Sequence, residues 1–226
     1  MKKVVVDGVK YGIREREALI VGHVDPSQLD LIIPAEVNGV PVTAIRKEAF
    51  MNSNIRTLCL PDTIVYIHDM AVKNCKNLIS VSEYESGKQT YAHHSVIICD
   101  CAFENCVNLQ SFDFNSTVKY VSNNAFAGCE KLADMHAMLV TVRKNAFQNC
   151  YALEELSFGL RARLYNQSIE ESGVKTLRVY NSLECPNLLL KHIKQNQIAI
   201  YCAANSDLID LAYMGYNVGV NDKVFA

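Results

Sequence analysis

The sequence contains no tryptophan and only ten glycines and five prolines in 226 residues. So few glycines and prolines exclude a collagen-like or low-complexity chain. It also lacks a basic excess. Lys and Arg total 22 against 24 Asp and Glu, a formal net charge of −2. Nucleic-acid binders usually carry a basic excess, so no nucleic-acid partner is expected. Long apolar runs are missing too. Val4-Val5-Val6 follows Lys2-Lys3 but stops at Asp7, short of the roughly 7–15 residues of a secretory core. No later stretch approaches the ~20 apolar residues of a membrane span. These absences predict a cytoplasmic protein without membrane contact; a cell-surface or secreted location is the alternative if a leader has been removed. The nucleophile elbow, the zinc-protease helix, the dinucleotide fingerprint and the phosphate loop are all absent as motifs.

What is present is an ordinary globular composition, 50% hydrophobic and 20% charged, which excludes bulk disorder. Nine cysteines stand out. An odd number would leave one unpaired in an oxidising compartment, whereas reduced cysteines serve as small buried hydrophobes. The densest cluster, Cys99, Cys101 and Cys106, does not have the paired spacing of structural zinc sites.

The cysteines follow a period. Ala-Phe recurs with a cysteine or small residue after two intervening residues: Ala49-Phe50-Met51-Asn52-Ser53, Ala102 to Cys106, Ala125 to Cys129, Ala146 to Cys150, and a degenerate Ala71-Val72-Lys73-Asn74-Cys75. Three residues after each cysteine comes a leucine: Leu78, Leu109, Leu132 and Leu153. Each opens a short segment with apolar and polar residues alternating, as in Leu109-Gln110-Ser111-Phe112-Asp113-Phe114, which predicts a strand with one buried face. A second apolar pair precedes the Ala-Phe: Val42 and Ile45, Ile64 and Ile67, Val118 and Val121, Leu139 and Val142. The Ala-Phe-x-x-Cys stretch has the compactness of a helical turn. Each unit therefore reads as strand, turn, short strand and turn of helix. One such unit cannot bury its apolar side chains alone, but a stack of them can. The prediction is an α/β repeat solenoid with phenylalanines in one column and cysteines in another.

These residues resemble the BspA-like leucine-rich repeat family, from about residue 29 to 180. Leu31-Ile32-Ile33-Pro34 through Val42-Thr43-Ala44-Ile45 looks like a first repeat, and Ile198 to Cys202 followed by Tyr216-Asn217-Val218 resembles the close of such arrays. The resemblance implies a right-handed leucine-rich-repeat-like array with an adhesion, interaction or recognition role, and no catalysis. The sequence departs from the pattern in three places. The repeat opening at Leu78 is too long; Leu132 to Ala137 lacks the expected proline; Ser168-Ile169-Glu170-Glu171-Ser172 replaces Ala-Phe-x-x-Cys.

Residues 1–28 read as an N-terminal cap with Asp7-Gly8 as a hairpin signal. Residues 29–180 form the solenoid, and 181–226 a C-terminal cap with helices over about 187–196 and 206–214. All three belong to one continuous structural domain.

The expected function is a non-catalytic protein-interaction module; a cell-surface adhesin or a metal- or thiol-dependent enzyme are the alternatives. No cofactor and no catalytic or metal residue is assigned, and the partner is a protein, with self-association into a homo-oligomer possible. Two surfaces are candidates. Alternation exposes Asp113, Asp134, Glu154 and Glu155 as an acidic strip, with His136 exposed on the same face and Arg178 on its flank. The long insertion carries Tyr84, Tyr91, His93 and His94, and insertions in solenoids project as loops. Adjacent histidines on extended backbone point apart, which disfavours one metal ion between them.

Overall fold

In an extended chain, residues two apart share a side. Over Thr57–Pro61 this buries Leu58 and Leu60 and leaves Thr57 and Cys59 half-exposed. The computed structural model, which describes residues 1–87, 95–202 and 215–220, repeats that segment along two parallel ladders. The first ladder runs through Asp30–Ile32, Thr57–Pro61, Ser80–Tyr84, Ser111–Asp113 and Asp134–His136. The second runs through Ala18–His23, Val40–Ile45, Tyr66–Ile67, Ser95–Ile98, Thr117–Val121 and Leu139–Val142. The ten-residue strand Glu155–Leu164 spans both positions. Its start pairs with Thr176–Val179, and Arg163 and Leu164 pair with Thr141 and Val142. Ala199–Cys202 and Val218–Val220 extend this sheet.

Between the ladders lies the core. Leu31, Leu58, Val81, Phe112 and Met135 face each other in register, as do Leu156, Leu177 and Ile200 farther along, and all are buried. At the start of the chain, Lys2–Val6 and Val9–Ile13 form an antiparallel hairpin. Its two loop residues, Asp7 and Gly8, both take positive φ (45° and 69°), the geometry that a tight two-residue hairpin turn requires.

The α/β class, with a turn of helix in each repeat, is not what forms. The Ala-Phe corners are runs of β-turns. A right-handed helix needs negative φ at every residue. Here the residue before each Ala and the residue before each Cys are both left-handed: Glu48 and Asn52 at 61° and 60°, Cys101 and Asn105 at 57° and 60°, Asn145 and Asn149 at 56° and 60°. The amides accordingly alternate in direction. Ala49, Met51 and Ser53 donate within the turn, to the carbonyls of Arg46, Glu48 and Phe50. Phe50 and Asn52 donate across to Ala71 and Lys73 of the next turn, at 2.7 and 2.9 Å. Asparagine tolerates left-handed backbone better than most residues, which explains its recurrence before the cysteines. Gly128 fills the same place at 76°. Among the described residues the only helix is Asn187–Gln195, which buries Leu189 and Ile193 and leaves Leu188 exposed. The expected helix over 206–214 lies outside the described residues. The molecule is thus a β-solenoid of about eight turns.

The two predicted columns are both present. Phe103, Phe126 and Phe147 stack face to face, 5.1 and 5.5 Å between centroids, with Phe112 set edge-on against the first two. The cysteines do more than fill space. Each column thiol donates to a main-chain carbonyl of the preceding turn: Cys75 to Phe50, Cys106 to Val72, Cys129 to Phe103 and Cys150 to Phe126, at 2.9–3.2 Å. Burial pushes the thiols of Cys75 and Cys150 up to about 12 from an ordinary 9.0, and those of Cys106 and Cys129 well above it.

Replacing Phe126 by alanine removes the middle ring and should cost about 3–5 kcal/mol in urea unfolding; an unchanged midpoint would refute the stacked core. The thiol column also predicts a pH dependence. The unfolded chain ionises these cysteines from about pH 9, while the native column stays neutral to about pH 12. The stabilisation is therefore complete below pH 9 and is lost as pH rises from 9 toward 12. Midpoints measured between pH 8 and 10.5 should fall less steeply in the Cys106→Ala/Cys129→Ala variant than in the parent.

Candidate functional site

Polar residues of the first ladder face outward at equivalent positions in successive turns. Ser80, Ser111 and Asp134 lie in register, as do Ser82, Asp113 and His136. The charges on this face are partly matched between turns. Arg56 grips Asp30, its Nε donating at 3.0 Å, with Thr57 adding a 2.9 Å bond to the same carboxylate. These donors hold the Asp30 carboxyl below its usual range, the arginine hydrogen bond being the largest cause. Farther along, Lys175 pairs with Glu154 and Arg178 with Glu155. The Arg178 guanidinium also lies 5.3 Å from the centre of the Tyr201 ring.

The predicted acidic strip therefore divides. Glu154 and Glu155 are matched by cations from the next turn, while Asp113 and Asp134 are exposed and form no ion pair among the described residues. Exposed ion pairs of this kind contribute at most about 1 kcal/mol each, so their main effect is on the charge the face presents.

The structure adds a groove. Val121 follows Leu109 by twelve positions and its counterpart Leu164 follows Leu153 by eleven, but Val142, which pairs with both, follows Leu132 by only ten. The turn beginning at Leu132 is thus two residues shorter than the turn before it and one shorter than the turn after it. It closes through a tight turn in which the Ala137 amide bonds the Met135 carbonyl. No backbone ladder joins Asp134–His136 to the start of Glu155–Leu164, although both flank the same gap. Into that gap opens a groove of about 480 Å³. Met135, Ala137 and Met138 line it together with Asp113, Phe114, Asp134, His136 and Glu155. Its size is that of a ligand-binding cleft.

Leu139 pairs with Phe158, and Phe158 with Val179. Met138 precedes this line of pairs, Gly159-Leu160 and Tyr180 follow it, and Met138 Cε comes 4.0 Å from where a Cβ on Gly159 would lie. All three large side chains are exposed: Met138 36%, Leu160 59% and Tyr180 42%. An exposed apolar patch is the informative exception on a soluble surface.

Of the sequence-derived candidates, Asp113, Asp134, His136 and Glu155 converge on the groove. Glu154 and Arg178 lie beside it in their ion pairs. Tyr84 does not project with the insertion. It ends the strand Ser80–Tyr84, and its hydroxyl donates to the Ile33 carbonyl at 2.8 Å. Tyr91, His93 and His94 lie outside the described residues. Phe114, Met138, Leu160 and Tyr180 were not singled out from the sequence; the missing proline and the two-residue shortening after Leu132 were the available signals.

The chemistry of the remaining thiols is muted. Burial raises Cys99, Cys101 and Cys185 to about 11, with nearby carboxylates adding to the shift at the first two. A thiol so raised is almost wholly protonated at neutral pH and is a poor nucleophile. Cys106, in the cluster with Cys99 and Cys101, is turned into the core. Among the described residues no three His, Cys, Asp or Glu side chains gather as a metal-ligand set.

No curated protein matches the chain. Among solved structures, a leucine-rich repeat protein from T. pallidum aligns with a TM-score of 0.61 at 18% identity, over 86% of this chain and 96% of that one. A leucine-rich cell surface protein from Faecalibacterium prausnitzii aligns with a TM-score of 0.45 at 16% identity, over 82% and 72% respectively. The first likeness shows a shared fold. A family model for the BspA type leucine rich repeat region matches residues 43–158 and 87–194 in six copies. Those copies span more than half of the sequence, and this chain belongs to the BspA-type leucine-rich repeat family.

Proposed function

We propose that the chain is a non-catalytic recognition module that binds a protein partner on the outward face of its first strand ladder. The observation that carries this reading is the face itself. A parallel sheet displays Ser111 beside Asp134 and Asp113 beside His136, and an open groove adjoins it with exposed apolar side chains nearby. Held on a sheet, such side chains lose little freedom on binding, which favours recognition. Catalysis has less support. The column thiols are buried and bonded to carbonyls, and Cys99, Cys101 and Cys185 are held protonated. The carboxylates of the groove stand on an open face without the enclosure that shifts a catalytic acid.

Site-specific photo-crosslinking in the source cell tests the reading. A crosslinking side chain at Gln110, Asp113 or Ser157 should capture one and the same protein. The same side chain at Lys119 or Lys144, exposed on the second ladder's side, should not. Equal capture from Lys119 and Lys144, or none from the first-ladder positions, would defeat the proposal.

A further inference from the structure

The groove differs from the rest of the face in three ways, each traceable to the short turn after Leu132. Its walls carry carboxylates. Asp113 and Asp134 are exposed and without an ion pair among the described residues, whereas Asp30, Glu154 and Glu155 each have a cation against them. Its floor is apolar, made by Met135, Ala137 and Met138. Its far side is a strand start, Glu155–Ser157, that the five-stranded sheet does not reach. Met138, which lines the groove, is exposed, as are Leu160 and Tyr180 in the turns that follow.

Resting on the recognition reading above, we propose that this groove holds an extended, basic segment of the partner protein, with lysine or arginine side chains against Asp113 and Asp134 and an apolar side chain against Met138 and Leu160. The case is one of complementarity. Two uncompensated carboxylates on neighbouring strands favour a cation and disfavour an acidic segment. Side chains of an extended segment alternate in direction, so successive residues reach opposite walls. That alternation lets one residue meet the carboxylates while the next meets Met138 and Leu160. A gap between two strand segments also suits an extended backbone better than a helix, whose width with side chains is about 10–12 Å. On the second-ladder side the exposed Lys119 and Lys144 present the opposite charge, and the groove of about 430 Å³ at Arg163, Tyr165 and Glu184 has its carboxylate paired with Arg163.

The test uses the full chain and fluorescently labelled eight-residue peptides, followed by anisotropy. One alternates lysine with leucine, one glutamate with leucine, and one lysine with glycine. The lysine–leucine peptide should bind, and more tightly than either of the others. Asp113→Asn combined with Asp134→Asn should weaken it by about tenfold or more, and should flatten its dependence on salt. Insertion of Asn-Ser after His136 would lengthen the short turn to the span of the turn before it and should fill the groove. It should abolish binding in a protein that melts like the parent. If the insertion variant does not fold, the paired aspartate variant decides alone. Binding of the glutamate–leucine peptide as tight as the lysine–leucine one would overturn the proposal. So would undiminished binding to the paired aspartate variant or to a folded insertion variant, or no binding at about 1 mM peptide. Loss of peptide binding with crosslinks still confined to the first-ladder face would sink this inference and leave the recognition reading standing. Crosslinks from the second-ladder side alone would sink both.

Discussion

Every turn of this molecule must present its amides and carbonyls at the height where the next turn presents their counterparts. At each Ala-Phe corner, alternate N–H groups point along the stack, as when Phe103 donates to Ala125 and Asn105 to Ala127. A buried amide left without an acceptor costs about 1–3 kcal/mol, so a turn cannot slide relative to its neighbours. The left-handed residues follow from this. Only by reversing φ twice in five residues does the chain aim every second amide outward. Asn105, Gly128 and Asn149 sit at one such reversal. The asparagines also link sideways: Asn74 donates to Asn52 and Asn105 to Asn74, at 3.0 and 3.3 Å. The cysteine completes the arrangement. Its main-chain amide bonds within the turn while its thiol reaches back to the preceding one, so a single residue serves both directions. A serine in that place behaves differently: Ser172 turns its hydroxyl to Ile169 of its own corner.

Because register is fixed by main-chain bonds, side chains at equivalent positions are forced into columns whatever their chemistry. Phenylalanine is well suited to this, since offset or parallel rings gain beyond simple burial. Val72 in place of a phenylalanine keeps the column filled with less contact area. Ser168 and Ile169 show the tolerance of the corner. Both are fully buried in the places of an Ala and a Phe, between left-handed Gln167 and Glu171. Position in the turn, and not residue identity, makes a repeat.

That distinction explains what could be read from the sequence. The strands were legible from alternation, and the two columns from spacing, because burial imposes a period on residue type. The corner geometry was less so. Ala-Phe-x-Asn-Cys is compact enough for a helical turn, and the reversed φ shows only through asparagine, glycine and, less visibly, Glu48, Met70 and Cys101. The last repeat was obscured because Ser168 and Ile169 satisfy the corner with neither of the marker residues. At the candidate site, the exposure of Asp113, Asp134 and His136 followed from alternation alone. Their separation from Glu154 and Glu155 did not. It depends on cations arriving from the next turn, a relation between residues more than twenty positions apart. Tyr84 misled because the insertion begins after it, where the strand lets go.

The same register constraint explains how a site arises in a repetitive fold. In a protein of irregular packing, the loss of two residues is absorbed by small shifts spread over many contacts. Here the corner at Ala125-Phe126 and the corner at Ala146-Phe147 are both pinned, 21 positions apart, by bonds to their neighbours. The shortening after Leu132 cannot be shared out along the stack. It must appear where the chain is least tied, at the bend between the ladders, and it appears there as a missing piece of strand. The side chains that the missing piece would have covered, Phe114, Met135 and Met138 among them, become the lining of a groove. A length defect in a rigid array is in this way converted into a concavity of defined place and depth. Asp113 and Asp134, two positions apart in the register of neighbouring strands, come to stand along its edge.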